Sequence, residues 1–178
     1  MLGYIAGTRY PVRNRVIVLL SVKAGLRAKE IASLTWGMVS DATGQIGSSI
    51  HLPDIASKGR SGRVIPINRD LLDALVALRS NPISSRPSDH VITTERAAVT
   101  SAHAIVIMFA RWFREMSYSG CSSHSGRRTF ITNAARRIST VGGSLRDVQM
   151  LAGHSTLSTT QRYIEADSHA QRKIVDLV

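Results

Sequence analysis

The sequence predicts a mostly helical α+β domain with a small three-stranded antiparallel sheet near one side. Apolar residues fall at helical spacing over residues 14–26 and 69–80, and again from about residue 100 almost to the end. Between them, at about 37–67, the texture changes to the short runs "MVS", "SSIHLP" and "RVIPI", separated by the turn-forming "DATGQ" and "SKGRSG". With 178 residues and 43% hydrophobic content the chain can bury one substantial core, so a single domain over 1–178 is expected.

Taken in order, "NRVIVLLSVKAGL" (14–26) predicts a helix that stops at Gly25, because glycine readily adopts the left-handed conformation that closes a helix. A second short helix follows in "AKEIASLTW", and then the three strands. "RDLLDALVALRS" (69–80) is amphipathic, and "NPISSRPSD" (81–89) reads as a loop. "SAHAIVIMFARWFREM" presents one wide apolar face, and "SGRRTFITNAARRI" is helical. The break "GGS" precedes "LRDVQMLAG", where Ser144 and Asp147 form a capping pair with Asp replacing the usual Glu. No internal repeat, low-complexity tract or interdomain linker stands out.

The formal net charge is +11, from 23 Lys plus Arg against 12 Asp plus Glu, which implies a polyanionic partner. Nucleic acid is the first candidate. A membrane surface fits less well, because the basic residues run along the whole chain without a juxtamembrane cluster or lipidation signal. The run "VIVLLSV" is far shorter than the roughly 20 residues of a membrane span. No export signal is recognised, and the expected location is cytoplasmic, with the nucleoid. Cys121 is the single cysteine, so an internal disulfide is impossible; it reads as a small buried hydrophobe.

Metal-assisted phosphate chemistry requires clustered carboxylates, and the closest pair, Asp70 with Asp73, reads as an exposed helix face. There is no GxxxxGK[ST] loop, and no histidine or cysteine spacing suits zinc. The expected chemistry therefore uses neither metal, cofactor nor ATP. Cationic and tyrosyl groups remain. His124 and Arg127 in "HSGRRTF" lie three apart, neighbours on one helical face, where imidazole and guanidinium can reach the same phosphate. Arg27 follows the helix-ending Gly25, Lys58 sits on the turn between two strands, and Tyr163 lies nine residues beyond His154. The stretch "LRDVQMLAGHSTLSTTQRYI" admits two readings: a helix-turn-helix laid on DNA, or half of an active site ending in a tyrosine.

"GLRAKEIASLTW", "SKG" between strands, "HSGRRTF" and "LAGHSTLSTTQRYI", in that order, resemble the catalytic domain of the tyrosine recombinases, the phage integrase family. The resemblance runs from about residue 12 to the end; each motif alone is weak, and the ordered set is specific. It implies the DNA breaking-rejoining fold and double-stranded DNA as substrate. By this resemblance Tyr163 is the nucleophile, forming a 3′-phosphotyrosyl link and freeing a 5′-hydroxyl. Arg27 and Arg127 match the paired arginines that grip the non-bridging oxygens. His124 and His154 match the two positions that hydrogen-bond the phosphate, and His124 is also a candidate to take the tyrosyl proton. Lys58 matches the general acid for the leaving 5′-oxygen.

Two departures carry expectations of their own. Gly126 stands where the family commonly has a bulky apolar residue, which predicts a helix that starts later or packs more loosely there. The chain starts almost at the catalytic domain, so the usual N-terminal core-binding domain is expected to be absent. In relatives a C-terminal tail like "DSHAQRKIVDLV" docks on a neighbouring subunit, which implies a monomer in solution and a homotetramer on DNA. Several alternatives stay open. Arg27 also reads as an exposed partner of Glu30, Lys58 as a solvated turn lysine competing with Lys23 and Arg60, and Tyr118 as a rival nucleophile. A type IB topoisomerase and a non-catalytic helix-turn-helix protein are the competing functions. Against the latter, His154 occupies a turn position where repressors place a buried aliphatic residue.

Overall fold

A computed structural model describes residues 1–54, 62–81, 89–95, 97–164 and 175–176. Its helices are α1 (Leu2–Ala6), α2 (Pro11–Lys23), α3 (Ala28–Ser33), α4 (Arg69–Arg79), α5 (Ala102–Glu115), α6 (Ser125–Arg137), α7 (Leu145–Ala152) and α8 (Leu157–Gln161). Strands β1 (Ser49–Leu52) and β2 (Arg63–Pro66) pair antiparallel, with Ser49 opposite Pro66 and Leu52 opposite Arg63. Helix α1 has no counterpart among the sequence expectations.

The described sheet has two strands where three are expected. The run around "MVS" closes instead into a 3₁₀ turn over Trp36–Met38, followed by a single bridge between Ser40 and Ile46. Asp41 explains the difference. Its carboxylate accepts from the backbone N–H of Thr43 (2.9 Å) and Gln45 (3.1 Å), so the backbone there is satisfied by a local turn rather than by a ladder.

Helix α2 is the centre of the molecule. Proline at its first position suits a helix start, and Val16 through Ser21 are buried without interruption. A short helix apolar on all sides must be surrounded, and α1, α3, α4 and α6 all pack on it. Asn68 and Ser101 cap α4 and α5 by accepting the Leu71 and Ala104 N–H groups at 3.1 Å. The wide apolar face of α5 buries Ile105, Phe109, Trp112 and Phe113 and packs on α3. No helix among the described residues is long and apolar enough to cross a membrane.

Gly126 corrects a second expectation. Helix α6 starts at Ser125, one residue before it, and is tight at that point. A Cβ on Gly126 would lie 2.3 Å from Ser21 Oγ and 3.0 Å from Val22 Cγ1, so a hydrogen is all the α2–α6 contact admits. The expected bulky residue is missing because α2 fills its space. Cys121 corrects a third: it is exposed, in the turn before α6.

Candidate active site

The α2–α3 corner is built on Gly25. It has φ +65, and a Cβ there would lie 2.4 Å from Phe130 Cδ1, so conformation and space both require glycine. The turn delivers Arg27 to the position before α3. There Glu30 accepts the backbone N–H of Arg27 at 2.8 Å and its Nη1 at 3.0 Å. The Glu30 side chain is closed to solvent, and Arg63 of β2 grips it with a two-pronged fork: Nη1 to Oε1 at 2.9 Å and Nη2 to Oε2 at 3.1 Å. Burial pushes the Glu30 carboxyl up, but the hydrogen bonds and charge of Arg63, with those of Arg27, outweigh it and hold Glu30 below the usual carboxylate range.

Arg127 ties this corner to the C-terminus of α7. It is buried, and its Nη1 and Nη2 donate to the carbonyls of Gly25 and Ala152, each at 2.6 Å. Burial, then the charges of Arg27 and Arg63, lowers its pKa to about 10, while Glu30 and Tyr163 act in the opposite sense. Arg127 thus stays protonated at neutral pH. Three guanidiniums and one carboxylate share a neighbourhood that also holds the Tyr163 phenol, leaving an excess of positive charge.

The third component is the turn between α7 and α8. Ser144 and Asp147 cap α7 as expected, with the Asp147 carboxylate accepting the Ser144 N–H at 2.7 Å and its hydroxyl at 2.9 Å. Gly153, at φ +63, closes α7; a Cβ there would meet Arg63 Nη1 at 2.8 Å. His154 follows, its ring stacked on Tyr163 with centroids 5.5 Å apart and planes 22° apart. Burial, then Arg127, Arg27 and Arg63, lowers the His154 pKa to about 4, so the imidazole is neutral at pH 7. Tyr163 packs against a small cluster of Ile131, Val148 and Ala152, and Thr132 Oγ1 donates to its carbonyl at 3.2 Å. A cavity of about 390 Å³ opens beside it, lined by Arg128, Thr132, Thr159, Arg162 and Tyr163. A larger, apolar groove of about 650 Å³ lies between α4 and the 44–46 turn and contains none of these groups.

Of the residues singled out from sequence, Arg27, Arg127, His154 and Tyr163 fall in this one neighbourhood. His124 stands exposed immediately before α6, three residues ahead of Arg127, its backbone N–H donating to Ser122 Oγ at 3.3 Å. Lys58 lies outside the described residues. Its rival Lys23 pairs with Asp70 at 3.0 Å on the surface. The other nucleophile candidate, Tyr118, is exposed and rests against Phe113 at the end of α5.

Sequence reasoning missed Arg63. A signal existed, because the strand alternation that buries Ile65 turns residue 63 to the same inward face, and an inward arginine requires a buried acceptor. That the acceptor is Glu30, together with the Leu151 carbonyl at 2.8 Å from Arg63 Nε, depends on contacts far apart in the chain. Planar cationic forks around a neutral imidazole and a phenol suit a phosphodiester: the forks match its non-bridging oxygens, and the phenol is an oxygen nucleophile.

Residues 2–169 match the phage integrase family. The tyrosine recombinase XerC of Shewanella sp. (strain ANA-3) is 28% identical over 167 residues, covering 93% of this chain and 52% of that protein. The chain thus spans about half the length of the curated relatives it matches. Among solved structures, XerA recombinase superposes with a TM-score of 0.75 at 22% identity, over 99% of this chain and 61% of that one. The Tn1549 transposon integrase in complex with circular intermediate DNA superposes with a TM-score of 0.74 at 21% identity, over 99% and 64%. These likenesses establish the fold, mostly helical with a small antiparallel sheet, as the one shared with these recombinase and integrase structures.

Proposed function

The chain belongs to the phage integrase family, and we propose that it is a site-specific recombinase that cleaves and rejoins DNA strands through Tyr163. The Tyr163 oxygen attacks the scissile phosphorus, the bond to the 5′-oxygen breaks, and a 3′-phosphotyrosyl link remains. A 5′-hydroxyl from another strand reverses the step. One phosphodiester is exchanged for another, so the energy of the broken bond is kept in the protein–DNA link.

The observation that carries this reading is the position of Arg127. Its guanidinium is anchored by two backbone carbonyls between the Arg27 corner and the His154 turn, within electrostatic reach of Arg27 and Tyr163. An arginine has five N–H donors, so donors remain for a phosphate oxygen. Held in place beforehand, they stabilise the charge that grows on the phosphoryl oxygens without reorganising. Arg27 serves the same phosphate, and His154 donates to it. His124, one helical turn from Arg127, is the candidate acceptor for the Tyr163 proton, and Lys58 is the candidate donor to the leaving 5′-oxygen. The Tn1549 transposon integrase, solved in complex with circular intermediate DNA, supports DNA as the partner, as does the net charge of +11, and the partner proposed is double-stranded. Assembly as a tetramer on DNA from monomers in solution is part of the same proposal.

Incubation with a library of nicked duplexes, followed by a denaturing gel, tests the chemistry. The unsubstituted protein should leave a covalent adduct, and Tyr163→Phe should bind DNA equally well without forming one. An adduct retained by Tyr163→Phe would overturn the assignment and turn attention to Tyr118. Binding should weaken steeply with salt, because phosphate contacts release counterions.

A further inference from the structure

His154 is fixed on almost every side. Its N–H donates to the Gln149 carbonyl at 3.1 Å, its carbonyl accepts from Gln149 Nε2 at 2.9 Å, and one ring face lies on Tyr163. Nδ1 meets Thr160 Oγ1 at 3.0 Å. Thr160 is fully buried, and among the described residues Nδ1 is the partner of its hydroxyl.

Two proton arrangements fit that contact, and they give the imidazole opposite roles. If Nδ1 carried the proton, Nε2 would be a lone pair able to accept the phenol proton, and the buried Thr160 hydroxyl would need an acceptor of its own. If the hydroxyl donates to Nδ1, both groups are satisfied and Nε2 carries the proton. Leaving a buried donor unmet is costly, which favours the second arrangement. Burial and the three arginines keep the ring from taking a second proton at neutral pH.

Resting on the phosphodiester chemistry proposed above, we propose that Thr160 is a positioning residue whose buried hydroxyl donates to His154 Nδ1. It fixes the Nε2–H tautomer, so that His154 can donate to a phosphate oxygen but cannot act as base for Tyr163. The proton of Tyr163 then leaves by another acceptor.

Long-range ¹H–¹⁵N correlation spectra of the full chain labelled with [¹⁵N]histidine read the tautomer directly, with His154 assigned from the resonances lost in His154→Gln. At pH 7 the expected pattern is a protonated Nε2 and an unprotonated Nδ1. Thr160→Ser should keep it. Thr160→Val should lose it and slow adduct formation on a nicked duplex on the order of tenfold at saturating DNA, with half-saturation unchanged. A proton on Nδ1 in the unsubstituted protein, or a Thr160→Val protein with tautomer and rate both intact, overturns the proposal. Should Thr160→Val fail to fold, the unsubstituted spectrum decides alone. The tautomer is measured without DNA, so an absent covalent adduct would refute the recombinase reading while this one is still judged by the spectrum.

Discussion

Arg63 and Glu30 form a two-pronged ion pair closed to solvent, with side-chain exposures of 5% and 1% and N···O distances of 2.9 and 3.1 Å. Through Arg63 Nε the pair reaches the Leu151 carbonyl at 2.8 Å, and through Glu30 it reaches Arg27. One arginine therefore braces the strand, the Arg27 corner and the end of α7 against one another. Both charges have left water, so loss of either partner is costly, although Glu30 also keeps Arg27.

Arg63→Met should accordingly destabilise the fold by less than the roughly 3–5 kcal/mol of a fully stranded buried charge, because Glu30 keeps its contacts to Arg27. Urea unfolding measures it. Arg63→Lys restores the charge without the fork and should recover only part of the loss. A change below about 1 kcal/mol in Arg63→Met would mean that the pair contributes little.

Arg127→Lys should lower the rate of adduct formation on the order of 10²–10³-fold, the scale of removing a donor aimed at developing oxyanion charge. A lysine ammonium has no planar fork with which to span the carbonyls of Gly25 and Ala152. Single-turnover kinetics on a nicked duplex checks this, and near-normal rates would place the phosphate elsewhere.

His154 makes stability depend on pH in a defined direction. Its folded-state pKa, about 4, lies below the ordinary histidine value of 6.5, so the unfolded chain binds this proton more readily than the folded one. The contribution to stability is fully present above 6.5 and is lost as pH falls through 4. The urea midpoint of the unsubstituted protein, relative to His154→Gln, should decline across that window. A relative midpoint that rises with acid would contradict the assigned environment.

Gly126→Ala should destabilise by about 1–3 kcal/mol, the scale of overpacking a tight contact. Ser21 Oγ is the nearest obstacle, and no hydrogen-bond partner meets it among the described residues. Ser21→Ala alone should be tolerated, and combined with Gly126→Ala it should recover part of the loss. Strictly additive effects in the double variant would show that the two residues do not touch.

Apart from α1, the main helices, the helix stop at Gly25, the Ser144–Asp147 cap and the identities of Arg27, Arg127, His154 and Tyr163 as candidates are legible in the sequence. The helices, the stop and the cap depend on periodicity and on the special conformation of glycine, which are local, whereas the four candidates depend on the order of short motifs along the whole chain. That Arg63 enters the site, that Thr160 meets His154, that Gly126 marks a tight crossing with Ser21, and that the expected third strand closes into a turn become visible in the folded chain alone. Cys121 belongs with these, because a lone thiol reads as buried until its surroundings are known. All of them share one cause: burial, charge coupling and close approach depend on which distant segments meet, and a buried arginine becomes intelligible only once its carboxylate is found.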